Sequence, residues 1–453
     1  MTARPVELLR PLIADRPPDR RRSPDRRPSR RFGLPSALAA LSVPSYRLWL
    51  CAQLIATTAL WMQRIAQDWL VLELSGSVAA VGFAVALQFL PVLIFGLFGG
   101  VLADRFSKRT LLAITQSSAA VLALALGLLA LTGTAQVWHV YVIATLLGFV
   151  TVVDNPTRQV FVSELVGERH LSNAVSLNSS VFQFGALLGP ALAGLLIATI
   201  GQGWAFVLNC AACLLVVIMV MIIRAQRTIL PRSRGSAGRQ LRAGLGYIRA
   251  TSEVAWSIGL VATVGVLGLN LPVLLTSFAA VEFATGANGY SLFNSLNAAG
   301  ALTGALLSAR RGRPPRLRYL VTVLIGFGVL TVAAALAPTP WLFGAALVVC
   351  GCLTLLLLTG ANALVQASAG ATLRGRVMSV YILVLLGGQA VGGPLVGALT
   401  DQVGARPSMA LCGGLIILIA LICGLTMARR SHLTVEVDLH RQRTRSPVQI
   451  VHS

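Results

Sequence analysis

Charge is what this sequence has least of. Only 11% of its 453 residues are charged, fifteen of them are acidic, and Lys108 is the sole lysine. A water-soluble domain carries about a quarter charged residues, so a soluble enzyme is excluded. Histidine is scarce as well, with five in the chain. No cluster of His, Asp or Glu stands in an apolar segment, so neither a metal centre nor an intramembrane hydrolase is expected, and no cofactor is called for. Seven cysteines include Cys210-x-x-Cys213 and Cys350-x-Cys352. With no His or carboxylate beside them they read as small apolar packing residues. What is abundant is hydrocarbon: 56% of residues are hydrophobic and the mean hydropathy is +0.78. The net charge of +22 would suit a nucleic-acid-binding domain, but the arginines are confined to short stretches between long uncharged ones. That reading is excluded too.

A membrane helix needs about 20 mostly apolar residues. Twelve such spans fit the chain. The first, 48–71, carries Arg64 and Asp68; 74–103 follows; 110–153 holds two, broken near Thr132-Gly133-Thr134; and 171–223 holds two, broken at Gly201-Gln202-Gly203. In the second half, 254–281 and 283–309 hold one each, 319–373 holds two split at Pro338-Thr339-Pro340, and 377–400 and 407–428 complete the set. Basic residues stay on the cytoplasmic side of a membrane protein. With twelve spans, 35 of the 37 basic residues fall at one end of the helices; only Arg406 lies at the other, and Arg64 is inside a span. One miscounted helix would scramble that asymmetry, so span count and orientation support each other and place both termini in the cytoplasm. The predicted organisation is a basic unstructured tail over 1–45, a six-helix bundle over 46–224, a linker over 225–252, a second bundle over 253–428 and a tail over 429–453.

The Pro- and Arg-rich start lacks apolar periodicity and reads as a solvated topology anchor. Ser29-Arg30-Arg31-Phe32 looks superficially like a twin-arginine export signal, but the apolar segment behind it is short and broken by Pro44. In the linker, Leu241 through Arg249 has the pattern of an amphipathic surface helix.

Six spans on either side of a basic loop suggest an internal duplication. Span five contains Gly185-Ala-Leu-Leu-Gly189-Pro190 and span eleven contains Gly388-Gln-Ala-Val-Gly392-Gly393-Pro394. Small residues allow close helix packing, and proline permits a kink. Gly189, Pro190, Gly393 and Pro394 are therefore packing points or flexing points, and their matched placement favours flexing. In span one, Gln53, Thr57, Trp61, Arg64 and Asp68 recur at spacings of a single helical face. Ionisable groups inside a span are costly and normally face a cavity or a partner. Asp68 reads either as a proton carrier or as half of a fixed Arg64–Asp68 pair. Gln88, Asn270, Asn294, Asn297, Asn362 and Gln366 are the other polar residues suited to a substrate cavity, or to interhelical hydrogen bonding.

At the end of span two stands Gly99-Gly100-Val101-Leu102-Ala103-Asp104-Arg105-Phe106-Ser107-Lys108-Arg109. This resembles the signature loop of the major facilitator superfamily, Gly-x-Leu-x-Asp-Arg-x-Gly-Arg-Arg, with Ser107 in place of the glycine and Lys108 in place of the first closing arginine. The second-half counterpart, Gly304 through Arg313, lacks the Asp. Trp61-Met62-Gln63-Arg64-x-x-Gln67-Asp68-Trp69, Asp154-Asn155-Pro156-x-Arg158 and Asn173 through Asn178 look like the enterobactin-exporter branch. The resemblance implies a gating loop of Gly100, Asp104, Arg105, Lys108 and Arg109, with Asp104 beside the N-terminus of span eleven and Arg158 as its ionic partner. It also implies that spans one, four, seven and ten line a central cavity.

The expectation is an all-α membrane protein of twelve helices in two pseudo-symmetric bundles. It is expected to export small lipophilic compounds, drugs or siderophores, by proton-coupled alternating access. Its partners would be the solute, protons and the bilayer of the inner membrane, with no nucleic acid, and it would act as a monomer. A facilitator or importer on the same fold, or a non-transporting receptor or partner subunit, remains open at this point.

Overall fold

A computed structural model describes residues 36–223, 237–311, 314–369, 373–430, 433–437 and 448–452. Thirteen helices are labelled in chain order: α1 (Pro44–Ser75), α2 (Val78–Arg105), α3 (Lys108–Leu131), α4 (Val137–Gly167), α5 (Arg169–Thr199), α6 (Gly203–Ile222), α7 (Ala237–Ala250), α8 (Ser252–Glu282), α9 (Gly286–Ala309), α10 (Leu317–Ala335), α11 (Pro340–Ser368), α12 (Arg374–Val403) and α13 (Ala405–Arg430). Every long helix sits on a predicted span, and the breaks at Gly133, Gly201 and Pro338 fall between helices. The start of the chain through residue 35 lies outside the described residues. Ser36–Ser42, expected as tail, forms a 3-10 helix because Ala40 and Leu41 pack into the first-half core. A two-stranded antiparallel ribbon pairs Leu433 with His452 and Val437 with Val448.

Ten of the helices are long and apolar enough to cross a bilayer. The other two expected spans, α1 and α9, have the length but carry polar stripes. On α1 the stripe is turned inward: Gln53, Gln63, Gln67 and Asp68 are buried while Leu54, Ile55 and Leu60 are exposed. That inverted arrangement is what an apolar solvent demands of a helix with polar groups.

Residues 137–199 would be one helix but for Gly167, whose φ of 65° and ψ of 174° divide α4 from α5. A side chain is disfavoured there, so glycine supplies the turn. The α4 helix thus runs well past the predicted end at 153, which places Asp154 and Arg158 on the helix rather than in a loop. In α8, π-turns at Val264–Gly268 and Phe278–Glu282 replace regular α-helix. The linker helix α7 covers the predicted amphipathic stretch, but it docks on protein: the Tyr247 hydroxyl donates to the Ser368 carbonyl at 2.6 Å, and Gly244 lies against the Arg376 backbone.

Three apolar cores organise the molecule. At the arginine-rich end each half has its own: Tyr46, Trp49, Leu112, Phe161 and Val220 in the first, and Val254, Leu320, Leu357, Val377 and Ala420 in the second. At the arginine-poor end one core spans both halves, joining Leu70, Val71 and Phe206 to Leu274, Tyr290, Phe343 and Met409. The halves are fused at one end and separate at the other. Arg406, the one arginine at the fused end among the described residues, pairs with Glu282 at 2.7 Å and donates to the carbonyls of Ala335 and Ala337. Its charge is neutralised and it caps the end of α10.

Candidate functional site

The polar residues of α1 are distributed among three neighbours. At the arginine-rich end, Arg158 on α4 forms an ion pair with Asp154 one turn earlier, at 2.7 Å, and donates a hydrogen bond to the Gln53 side chain. The other Asp154 oxygen accepts from Thr115 and Gln116 of α3, both at 2.8 Å. The Arg158 guanidinium also faces the Trp49 ring at 5.8 Å. This network joins α1, α3 and α4 and satisfies both carboxylate oxygens. Within it Arg158 is engaged by Asp154, and Gln53 is a buried strut between α1 and α4. Removing one partner of a buried ion pair strands the other charge, at a cost of about 3–5 kcal/mol. Asp154→Ala is expected to show a loss of that size in thermal unfolding of the purified protein. The double replacement Asp154→Asn with Arg158→Met should recover much of it.

Deeper in α1, Gln63 accepts from Asn209 of α6 at 2.6 Å. Arg64 and Asp68 diverge. The Asp68 carboxylate accepts the Tyr290 hydroxyl of α9 at 2.9 Å, and the Tyr290 ring stacks on Trp69 at 6.1 Å. The Arg64 guanidinium lies between the rings of Trp61, at 5.0 Å, and Phe89, at 5.7 Å. Its Nε is buried with no hydrogen-bond partner, as is Trp61 Nε1. A fixed Arg64–Asp68 pair is therefore not formed. A neighbouring helix offers Asp68 a neutral donor, and cation–π contacts hold Arg64 instead. Asp68 joins the two halves through a hydrogen bond, and Tyr290 is a residue that the spacing pattern had no means of finding.

The remaining polar candidates lie in helix–helix contacts or make hydrogen bonds within their own helix. Thr57 and Trp61 press on α5, where a Cβ at Gly185 would lie 2.7 Å from Thr57 Cγ2 and one at Gly189 would lie 2.5 Å from Trp61 Cβ. Gln88 is half-buried and its carbonyl lies against Gly148 of α4. Asn270 donates to the Gly265 and Val266 carbonyls that the α8 π-turn displaces. Asn294 donates to the Tyr290 carbonyl at 2.8 Å, and the Asn297 backbone is packed on Gly351 of α11. Gln366 donates to Asn362 within α11.

The Gly-Pro segments are close-contact points. A Cβ at Gly393 would sit 2.6 Å from the Gly82 carbonyl of α2, and one at Gly392 would overlap the Val266 carbonyl of α8. Pro190 and Pro394 lie inside helices that continue through them. In the loop between α2 and α3, α2 ends at Arg105, Lys108 Nζ donates to the Phe106 carbonyl, and Arg109 donates to the Met221 carbonyl at the end of α6. The Asp104 side chain lies outside the described residues. At the second-half counterpart, Ser308 accepts from Thr359 of α11 at 2.8 Å.

Among the described residues no group of three His, Cys, Asp or Glu side chains converges, and Cys210, Cys213, Cys350, Cys412 and Cys423 are packed into the apolar cores. The arrangement as a whole is two helical halves sharing an apolar core at one end, with the Asp68 carboxylate buried where they meet.

Known proteins place it more closely. The chain is similar to the MFS-type transporter YfiS of Bacillus subtilis, 25% identical over 86% of this chain and 92% of that one. It is also similar to the enterobactin exporter EntS of Citrobacter koseri, 22% identical over 84% of this chain and 91% of that one. Among solved structures, an inward-facing, unoccupied bacterial homolog of the human lysosomal transporter Spinster superposes with a TM-score of 0.66. It covers 85% of this chain and 97% of that one at 15% identity, and so shares the fold. Residues 35–449 match the family described as transmembrane secretion effectors. This chain is therefore a member of that family, a transporter of the major facilitator superfamily.

Proposed function

We propose that the protein is a proton-coupled exporter of small lipophilic compounds, siderophores among them, working by alternating access as a monomer in the inner membrane. In this reading the arginine-rich end and both termini are cytoplasmic, 46–224 and 253–428 are the two rocking bundles, and 225–252 links them. The observation that carries it is the shared core at one end with separate cores at the other, an arrangement suited to a cavity open toward the cytoplasm. Efflux as the direction is supported by the secretion-effector family and by the similarity to the enterobactin exporter EntS. Asp68 is the proton site, because it is the one carboxylate of α1 buried at the junction of the halves. A ligand drives such a cycle only through its different affinity for the two states.

Arg64 narrows the substrate class. A guanidinium between two rings with a buried, unpaired Nε suits an amphipath that brings an anionic group to it. Inverted vesicles should accumulate siderophores or dyes under an imposed pH gradient, and a protonophore should abolish this; accumulation that persists would make the protein a facilitator. Binding of 2-naphthoate to the purified protein should weaken about tenfold in Arg64→Gln, the worth of a charge-assisted hydrogen bond, with 2-naphthamide unaffected. Equal effects on both ligands would remove Arg64 from the substrate site.

A further inference from the structure

The start of α2 is capped from across the molecule. Asp401, near the end of α12, accepts hydrogen bonds from the backbone N–H groups of Val78 at 2.9 Å and Ala79 at 3.0 Å. It also accepts the Ser77 hydroxyl at 2.5 Å. A carboxylate at a helix N-terminus is favoured by the unsatisfied N–H groups and by the dipole. Here the carboxylate belongs to the opposite half. One turn before it, Gly397 leaves room for the approach, since a Cβ there would lie 2.7 Å from the Val78 carbonyl. Gly82 and Gly393 continue the same seam a turn further in.

The segment that does this is Gly397-Ala398-Leu399-Thr400-Asp401. It repeats the pattern of Gly100-Val101-Leu102-Ala103-Asp104, the end of α2. The two helices run antiparallel, so each brings its Gly-x-Leu-x-Asp end toward the beginning of the other. Continuing the register from Gly82 opposite Gly393 places Gly100 opposite Gly375, in the first turn of α12. Among the described residues, a Cβ at either Gly100 or Gly375 would meet nothing within 4 Å. The copy at the arginine-poor end is engaged, and the glycines of the copy at the arginine-rich end are apart.

We propose that Asp401 is the latch of the arginine-poor end and that the two Gly-x-Leu-x-Asp ends engage alternately, each capping the other's helix as the halves rock. Asp401 is then a gating residue of the transport cycle, and opening that end requires its three hydrogen bonds to break. The inference rests on alternating access but on no particular substrate.

The test is a distance measurement by pulsed electron paramagnetic resonance on the full chain in nanodiscs. Spin labels are placed at Ser75→Cys and Gln402→Cys, with Cys51→Ser removing the exposed native thiol. The parent should be dominated by one short distance, and Asp401→Ala should raise the long-distance population at least tenfold. Asp401→Asn keeps the shape of the cap and covers the case in which the alanine variant does not fold; it should shift the distribution the same way by less. Adding Asp104→Asn to either should restore the short distance. An unchanged distribution in the Asp401 variants overturns the latch, and a double variant as open as the single one overturns the alternation. Because the distance is read without any solute, failure of the latch is separable from failure of the exporter reading, which vesicle transport reports.

Discussion

Gradient-driven transport by Asp68→Asn is expected to fall to the level of empty membranes, while solute binding and equilibrium exchange persist. Asparagine keeps the volume of the side chain and can still accept the Tyr290 hydroxyl, so the contact between α1 and α9 is preserved and the fold with it. What is lost is the ability to gain and release a proton at that depth. Intramembrane carboxylates are costly and are retained where ions or protons pass. Asp68 is buried at the junction of the halves, so its charge state bears directly on how they meet. The measurement is paired: net accumulation in inverted vesicles under a pH gradient, and exchange of labelled against unlabelled solute without one. Loss of the first with retention of the second identifies a coupling site. Loss of both, with a lowered unfolding temperature, would make Asp68 structural, and retention of both would remove it from the mechanism. Tyr290→Phe provides a graded companion, because it leaves a buried carboxylate oxygen without its donor at a cost of about 1–3 kcal/mol.

The second large effect is steric. A Cβ at Gly82 would overlap the Gly393 carbonyl, which is backbone and cannot swing aside. Gly82→Ala must therefore part α2 from α12, and Gly82→Val more so. Overpacking typically costs about 1–3 kcal/mol, and backbone against backbone should reach the upper end. The natural control is Gly96→Ala, whose nearest neighbour would be Val92 Cγ1 at 3.7 Å. In a helix that exchange is favourable by about 1 kcal/mol. Thermal unfolding should therefore move in opposite directions for the two alanine variants, and transport should be lost only at Gly82. If both variants unfold like the parent, the seam is looser than its geometry indicates.

These residues differ in how far the sequence exposed them. Asp68 is conspicuous as a carboxylate inside an apolar run, and the ion pair of Asp154 with Arg158 follows a helical i, i+4 spacing. Asp154 falls just outside the predicted span 110–153, and only the continuation of α4 to Gly167 puts both groups on one helix. Asp401 carried a signal too, the second Gly-x-Leu-x-Asp, but it closes a span at the end where charge is rare, and a terminal aspartate looks like ordinary solvated surface. Tyr290 had no signal at all: a lone tyrosine in a moderately polar helix points to nothing until α1 is laid beside it.

The sequence by itself determined where the long apolar helices lie along the chain and the breaks between them at Gly133, Gly201 and Pro338, and which loops share the arginines. Transfer into hydrocarbon depends on each segment's own composition, and the distribution of basic residues can be counted without knowing any contact. Tertiary structure alone decided which polar groups meet: Asp68 with Tyr290, Asp401 with the start of α2, and Arg64 with two rings instead of a carboxylate. The first two of those pairings join residues 222 and 323 positions apart. A buried polar group takes whichever partner the packing of small residues brings within about 3 Å, and no local periodicity encodes that distance.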